Sequence, residues 1–398
     1  MKKNALIGQL GGPTSVINSS LCGLIEKGLK SDKIKHILGM RDGIIGFLQD
    51  RIVDLGKEEP YAIKRLWHTP SSILGSSRYI LKERDFPLIL KIFKKYDIGH
   101  LFLIGGNGTM QLNRQIGQYC KKNGYAINVI GIPKTVDNDL CGTDHAPGFA
   151  SAARYIGLSV QQAGRLAHDM QSVDKYVILQ TVGRNTGWLA ASAALAKKRE
   201  SDAPHLIYIP ERPLSKKKFL SDVKKCIKKY GWVSIVCGEG ILWEDKSFVA
   251  SLNIKNDTTD FEFGAMGGGS AALNLHKLIS KETDYRGEFQ ITESLSMCAI
   301  DRASKVDLEE AYLCGVKAIE LAEEDVSGVM VSILRASSSP YRIKLSAISL
   351  DEVALGIKPL DDKYINIRGN FVTDKYLDYI KPLVGELPAY SELKYIKF

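Results

Sequence analysis

The sequence lacks the features that mark membrane, secreted and zinc-binding proteins. No apolar run approaches the roughly 18 residues that a membrane-spanning helix needs. The seven cysteines are odd in number, scattered and without a CxxC pair, so the pattern indicates neither a disulfide framework nor a zinc site. The N-terminal segment has a short apolar run but no long signal-like core. These absences predict a cytoplasmic protein without membrane contact.

Two common nucleotide-binding signatures are also absent, since neither GxxxxGK[ST] nor GxGxxG occurs. The net charge is +9, and part of it lies in a lysine-rich segment, KKKFLSDVKKCIKKY, at 216–230. Its apolar residues recur at helical spacing, which favours a solvated amphipathic helix over a nucleic-acid surface. No basic motif is interleaved with aromatic residues, so no nucleic-acid partner is predicted. A positive excess suits phosphorylated small-molecule substrates.

Short apolar runs alternate with helical patterns along most of the chain. This alternation predicts an α/β fold, with mainly parallel sheets flanked by helices. We expect a first lobe at 1–182, a second at 183–344, and a C-terminal segment, 345–398, that packs back on the first. Leu252–Gly269, rich in Asn, Asp, Thr and Gly, is predicted to be a mobile loop.

Three polar, glycine-bearing loops follow predicted strands of the first lobe. They are Gly11–Ser15 after Ala5–Leu10, Gly105–Thr109 after Leu101–Ile104, and Gly131–Asp139, which begins within the strand Ile127–Ile132. Ligands of open parallel sheets bind at the carboxyl ends of strands, where glycines allow close approach and helix N-termini favour anions. Three such loops in one lobe predict phosphoryl transfer.

The third loop, GIPKTVDND, carries the most specific chemistry. Lys134 and Thr135 are donors for phosphate oxygens. Asp137 and Asp139 alternate, so in an extended backbone both would face one way. This set could remove a proton from a hydroxyl while a phosphate is held nearby. The alternative is a polar turn with helix-capping aspartates, and the two neighbouring loops favour the catalytic interpretation.

With these motifs, the chain resembles the phosphofructokinase family over nearly its whole length. The resemblance rests on a collinear series of segments: GGPTSVIN, SSILGSSRY, GGNGTM, GIPKTVDND, GTDHAPGFAS, VGRNTG, APHLIYIPE, VCGEG and GNFVTDKYLDYIKPLVG. The last of these resembles the ending of the pyrophosphate-using branch. The resemblance implies two Rossmann-like, phosphofructokinase-like lobes. It also implies phosphoryl transfer from pyrophosphate or ATP to the 1-hydroxyl of fructose 6-phosphate in glycolysis, with Mg²⁺ as cofactor and a homodimer or homotetramer as the assembly.

The resemblance also implies a role for individual residues. Asp137 would be the base, Thr135 would hold the transferred group, and Lys134 and Asp139 would complete the catalytic set. The donor phosphates would be bound by Gly12, Arg78, Gly106, Gly108 and Thr109. The sugar phosphate would be bound by Val182, Gly183, Arg184, Glu239 and Arg286. The metal would be bound by Asn107 and Asp139.

Three departures from the family pattern leave substrate choice open. Asn107 stands where an aspartate is usual, which predicts a weaker metal site. Gly108 leaves room for a nucleotide, as in ATP users, whereas Lys134 is typical of pyrophosphate users. The Gln-Arg pair that grips the 6-phosphate is missing from RGEFQITESLSM and from FGAMGGGS, so Arg286, Arg302 or a neighbouring subunit would have to replace it. The alternatives are a family kinase acting on another sugar phosphate or a polyol, and a non-catalytic binding or regulatory member.

Overall fold

The computed structural model describes residues 2–77, 79–251, 269–354, 356–391 and 393. The predicted mobile loop Leu252–Gly269 lies outside the described residues except for Gly269.

The strands are β1 Lys3–Gln9, β2 Ile34–Met40, β3 Ile52–Asp54, β4 Ile98–Gly105, β5 Asn128–Pro133, β6 Tyr176–Thr181, β7 Leu206–Tyr208, β8 Val233–Gly238, β9 Gly287–Ile291, β10 Val329–Ser338 and β11 Tyr341–Ser349. The α-helices are α1 Ile17–Gly28, α2 Gly43–Leu48, α3 Pro60–Arg65, α4 Phe86–Lys95, α5 Asn107–Lys122, α6 Phe149–Asp169, α7 Trp188–Ser192, α8 Lys216–Tyr230, α9 Ala271–Glu282, α10 Glu293–Cys298, α11 Lys305–Glu323, α12 Leu350–Val353 and α13 Asp374–Val384.

The larger sheet has seven strands in the order β11-β10-β5-β4-β1-β2-β3. Its five central strands are parallel, and β3 and β11 add antiparallel edges. All eight residues of β4 are buried, as expected for a central strand covered on both faces. Alternate residues of β1 and β4 pack against α1 and α11 on one face and against α4 and α5 on the other. The carboxyl ends of β1, β4 and β5 are therefore neighbours.

The smaller sheet has four parallel strands in the order β7-β8-β6-β9. Its faces pack against α8 and α9 on one side and against α6 and α7 on the other. The prediction of two mainly parallel sheets flanked by helices is confirmed. In the described part of the chain, no helix is both long enough and apolar enough to cross a membrane.

The two sheets do not divide the chain where the sequence placed the boundary. The predicted first lobe, 1–182, includes β6, but β6 belongs to the smaller sheet. Conversely, the predicted second lobe, 183–344, includes β10, but β10 pairs with β5 in the larger sheet. Both assignments followed chain order, whereas sheet membership depends on pairing between segments far apart in sequence.

The C-terminal segment joins both lobes. β11 pairs with β10 at the edge of the larger sheet. Helix α13 instead packs into the core beneath the smaller sheet, where Tyr376, Ile380 and Leu383 lie with residues of α6 and α7. The segment 345–398 therefore does not pack on the first lobe alone, and it passes close to the loop that follows β5.

Candidate active site

The three predicted loops meet at the carboxyl edge of the larger sheet. The backbone N–H of Lys134 donates to the Gly105 carbonyl at 3.0 Å. The Lys134 ammonium donates to the Gly12 carbonyl at 2.5 Å. The Asn107 side-chain amide donates to Asp139 Oδ2 at 2.9 Å. These bonds connect the loops after β1, β4 and β5, so the residues expected to act together are adjacent.

The Asp137–Asp139 segment presents both carboxylates, but its backbone is not the extended one that the sequence suggested. Thr135, Asp137 and Asp139 keep some solvent contact, whereas Val136 and Asn138 are buried. Asn138 has a φ of +54°, a left-handed conformation that Asn adopts more readily than most residues. Its Oδ1 accepts from the Ala146 N–H at 3.1 Å. The expectation of an extended backbone was wrong because this buried amide stabilises a turn.

Lys134, Asp137 and Asp139 form a cluster of ionisable groups whose pKa values are shifted towards neutral pH by burial and by nearby charges. Burial lowers the pKa of Lys134 to about 8, even though Asp137 and Asp139 oppose the shift. Burial, together with the charges of Asp139 and Glu239, raises the pKa of Asp137 to about 7. Burial also raises the pKa of Asp139. A carboxylate with a pKa near neutral pH is suited to accept a proton from a hydroxyl.

The donor-side glycines leave an open approach to the cluster. A Cβ on Gly108 would meet no heavy atom within 4 Å, and one on Gly106 would lie no nearer than 3.5 Å to Lys134. A Cβ on Gly12 would lie 2.9 Å from the terminal methyl of Met297, so the end of that flexible side chain would have to shift to admit one. Thr109 is buried against Gly105 at the base of its loop. Arg78, predicted to bind donor phosphates, lies outside the described residues.

Most of the predicted sugar-side residues lie at the carboxyl edge of the smaller sheet, facing the same cluster. Val182, Gly183 and Arg184 follow β6, and Glu239 follows β8. Glu239 accepts from the Gly183 N–H at 3.1 Å. Thr186 donates to the Asp137 carbonyl at 3.0 Å, so the edges of the two sheets meet.

The charges on the sugar side are mainly acidic. Burial, followed by the charge of Glu293, raises the pKa of Glu239 to about 7. The positive charge of Arg184 opposes the upward pKa shifts of both Asp137 and Glu239, so the guanidinium is close enough to act on both carboxylates. The sequence did not single out Glu293, which begins α10 directly after the end of β9. The rule that ligands bind beyond strand ends would have indicated it.

Arg286 does not lie with the other predicted site residues. It precedes β9, at the amino end of the strand, and its exposed guanidinium pairs with Asp174 at 3.0 Å. In a parallel sheet this edge is opposite to the one that carries Glu239, so within its own chain Arg286 faces away from the site. The other candidate, Arg302, packs over the Tyr155 ring at 4.9 Å on α6.

The residues around Asn107 fit a hard cation. Asn107 Oδ1 is buried and accepts no hydrogen bond in the described structure, while the Asp139 carboxylate lies on the other side of the same amide. No group of three or more His, Cys, Asp or Glu among the described residues is arranged to hold a metal. A pair of oxygen ligands suits Mg²⁺, which keeps several waters and binds substrate phosphates.

Comparison with known proteins agrees with this geometry. The model of the phosphofructokinase family matches residues 4–322. The pyrophosphate--fructose 6-phosphate 1-phosphotransferase of Methylococcus capsulatus is 34% identical over an alignment 407 residues long, gaps included, that covers 98% of this chain and 96% of that protein. The sulfofructose kinase of Alkalicoccus urumqiensis is 33% identical over 363 residues, which cover 91% of this chain and 92% of that protein.

A solved structure, the pyrophosphate-dependent phosphofructokinase from Nitrosospira multiformis, superposes with a TM-score of 0.88. It is 35% identical, and the match covers 98% of this chain and 94% of that one. The family resemblance of the sequence motifs is confirmed along with the fold. With the motif loops assembled at one edge and relatives aligned over almost the full length, this chain belongs to the phosphofructokinase family.

Proposed function

We propose that this protein transfers a phosphoryl group from pyrophosphate or ATP to the 1-hydroxyl of fructose 6-phosphate. The observation that carries the proposal is the position of Asp137. Its carboxylate, with a pKa of about 7, lies where the two sheets meet, with Lys134 on the donor side and Arg184 on the sugar side. The relatives that carry this activity in their names align over nearly the whole chain.

In the proposed reaction, each proton transfer and each contact with the phosphate is made by a named residue of the site. Asp137 accepts the hydroxyl proton as the sugar oxygen attacks the terminal phosphorus, and the bond from that phosphorus to the bridging oxygen breaks. The leaving group departs as phosphate, or as ADP if ATP is the donor. Lys134 and Thr135 are placed to donate to the phosphate oxygens, and positioning with charge neutralisation carries such transfers.

Asn107 and Asp139 are the residues that would hold Mg²⁺ beside the donor. When bound there, the ion would neutralise phosphate oxygens and orient the donor. Because Asn107 contributes no charge, we expect the protein alone to bind Mg²⁺ weakly and to bind it tightly only together with the donor.

The proposal is tested by supplying purified protein with fructose 6-phosphate, Mg²⁺ and either pyrophosphate or ATP. Phosphorus NMR would identify fructose 1,6-bisphosphate directly, without coupling enzymes. Formation of this product with either donor supports the proposal. Absence of turnover with both, while the ligands bind in calorimetry, would instead support the non-catalytic family member.

We propose that Gly108 influences the choice of donor. The names of the three relatives favour pyrophosphate, whereas the open space beside Gly108 leaves room for a nucleotide. Because an aspartate there meets no protein atom at its Cβ, Gly108→Asp should fold normally. We expect it to abolish any use of ATP, because the aspartate would fill the space of the nucleotide's α-phosphate and repel it, and to spare pyrophosphate, which has no third phosphate to place there. If Gly108→Asp lost the same fraction of its activity with ATP and with pyrophosphate, Gly108 would not select the donor.

A different acceptor is the second candidate function. The observation that favours it is the position of Arg286, which faces away from Glu239 and could serve only a site shared with another chain. A relative of similar identity is named for a sulfonated fructose. We therefore propose comparing kcat/KM for fructose 6-phosphate, other sugar phosphates, a sulfonated fructose and polyols. A clear preference for fructose 6-phosphate would dismiss this alternative.

A further inference from the structure

Residues beyond the matched part of the family model return to the catalytic loop. The match to the phosphofructokinase family model ends at residue 322. Lys358 and Tyr379 lie beyond it, yet both contact the segment that contains Asp137 and Asp139. Neither residue was assigned a role from the sequence. Both contacts converge on Asn138, the buried residue between the two aspartates.

Tyr379 on α13 bonds to two parts of the loop at once. Its hydroxyl accepts from the Asn138 amide at 3.1 Å and donates to the Asp144 carbonyl at 2.9 Å. The Arg335 guanidinium lies over its ring, 4.4 Å from the ring centre, so the ring itself is fixed. A left-handed residue such as Asn138 persists only when its surroundings hold it.

Lys358 holds the same segment from the other side. Its backbone N–H donates to the Asp139 carbonyl at 2.8 Å. Its ammonium donates to the carbonyls of Thr143 and Asp144 at 3.0 and 2.9 Å and lies 3.4 Å from Asn138 Oδ1. The lysine thus bridges the two ends of the turn from Asn138 to Asp144.

We propose that Tyr379 and Lys358 are positioning residues, which hold the turn at Asn138 so that Asp137 and Asp139 point into the site. The inference rests on the proposed phosphoryl transfer, because it assigns these residues to the geometry of that step. Neither residue needs to touch substrate. Their effect on catalysis passes through the backbone of the loop, and a misplacement of about 1 Å in a catalytic group can lower turnover about 100-fold.

The test compares Tyr379→Phe with Tyr376→Phe. Tyr376 lies one turn earlier on α13, is fully buried, and donates its hydroxyl to the Trp188 carbonyl at 2.6 Å rather than to the loop. Both changes remove one buried hydroxyl and preserve the ring. We expect kcat to fall between about 10-fold and about 100-fold in Tyr379→Phe, with KM values nearly unchanged, and to change little in Tyr376→Phe.

Hydrogen exchange of the peptide 134–148 provides a readout that is independent of turnover. We expect exchange to accelerate in Tyr379→Phe and in Lys358→Met, and to stay at the wild-type rate in Tyr376→Phe. Equal kcat in the two tyrosine variants, or unchanged exchange in Tyr379→Phe, would overturn the positioning role. If wild type turned over neither donor, the proposed function would fail, while the exchange rates would still decide whether the loop is held from α13.

Discussion

Two clusters of charged side chains lie close together, since Lys134 of the first and His145 of the second are separated by only eleven positions in the sequence. Both combine a cationic side chain with carboxylates, but they differ in whether those charges are paired by other protein groups. The first cluster contains Lys134, Asp137 and Asp139. The second is centred on His145, which is fully buried and contacts the carboxylates of Asp144 and Glu310 through its two ring nitrogens. The first cluster is open to a ligand, whereas the second is closed by protein partners.

Their partners explain the difference. In the second cluster Arg335 donates twice to Asp144, at 2.9 and 3.1 Å, and Tyr341 donates to the other oxygen of Glu310 at 2.6 Å. Burial lowers the pKa of His145, but the hydrogen bonds to Asp144 and Glu310 outweigh it and raise the pKa to about 9. In the first cluster the buried Asn107 Oδ1 accepts no hydrogen bond in the described structure, and the pKa of Asp137 rises to about 7.

The comparison teaches that burial alone does not identify a functional group. A buried ion with satisfied partners keeps its charge, and removing one of its partners destabilises the fold. A buried carboxylate next to like charges has its pKa raised towards neutrality, which is the state that proton transfer requires. Changing one member of each cluster should therefore affect different properties.

The largest effect is expected for Asp137→Asn. Removing the base should lower kcat by about 10²–10⁴-fold, because the amide cannot accept the hydroxyl proton. The free energy of unfolding should not fall, since the change removes a buried charge that lies near Asp139 and Glu239. Steady-state kinetics and urea unfolding measure the two quantities. The exposed Asp325→Asn serves as the control, and a variant of Asp137 that kept wild-type kcat would end its role as base.

His145→Gln should do the reverse and act on stability. The buried carboxylate of Glu310 and the partly buried carboxylate of Asp144 would lose their shared cation, which costs about 3–5 kcal/mol of the free energy of unfolding. Because the folded-state pKa of His145 is raised to about 9, its contribution is complete below about pH 6.5 and is lost as pH rises through about 9. Urea unfolding of wild type and variant should therefore converge at alkaline pH. His276→Gln, at a half-buried histidine, is the control and should cost less; a constant difference across pH would contradict the charged state of His145.

The smallest effect is expected in the pH dependence of catalysis. kcat/KM should rise with pH through about 7, since Asp137 must lose its proton to act as base. Asp139→Asn removes a negative neighbour that raises the pKa of Asp137, so the midpoint of this rise should move to lower pH. Initial rates at low substrate across pH 5–9 would show it. A midpoint that stayed in place or moved upward would break the electrostatic link between the two aspartates.

Much of the site could be predicted because its residues are local in sequence. Lys134, Thr135, Asp137 and Asp139 occupy one loop, and their spacing after an apolar run already indicated a strand end. The structure brings them together with Asn107 and Gly12, as the strand-end rule predicts. Glu293 was missed although it also follows a strand, because β9 is only half-buried and lacks a strong apolar run.

Other parts of the site could not be predicted from short sequence segments, because they depend on contacts between residues that are far apart in the chain. Arg286 was assigned to the sugar side as a replacement for the missing Gln-Arg pair, but its place at the amino end of β9 turns it towards Asp174. Lys358 and Tyr379 lie more than 200 residues from the loop they contact, and no pattern near them indicates that contact. Sheet membership of β6 and β10 was likewise set by pairing across the chain.

The sequence by itself determined the fold class, the family and the chemistry of the loop at Lys134–Asp139, because periodicity and loop composition are encoded by neighbouring residues. The tertiary structure decided which sheet each strand joins, which way Arg286 faces, and that Asn138 turns the backbone under the hold of Tyr379 and Lys358. It also decided which buried charges are satisfied and which have their pKa values moved towards neutrality. Those outcomes depend on distances between residues that are remote in the chain, and such distances are fixed only when the chain is folded.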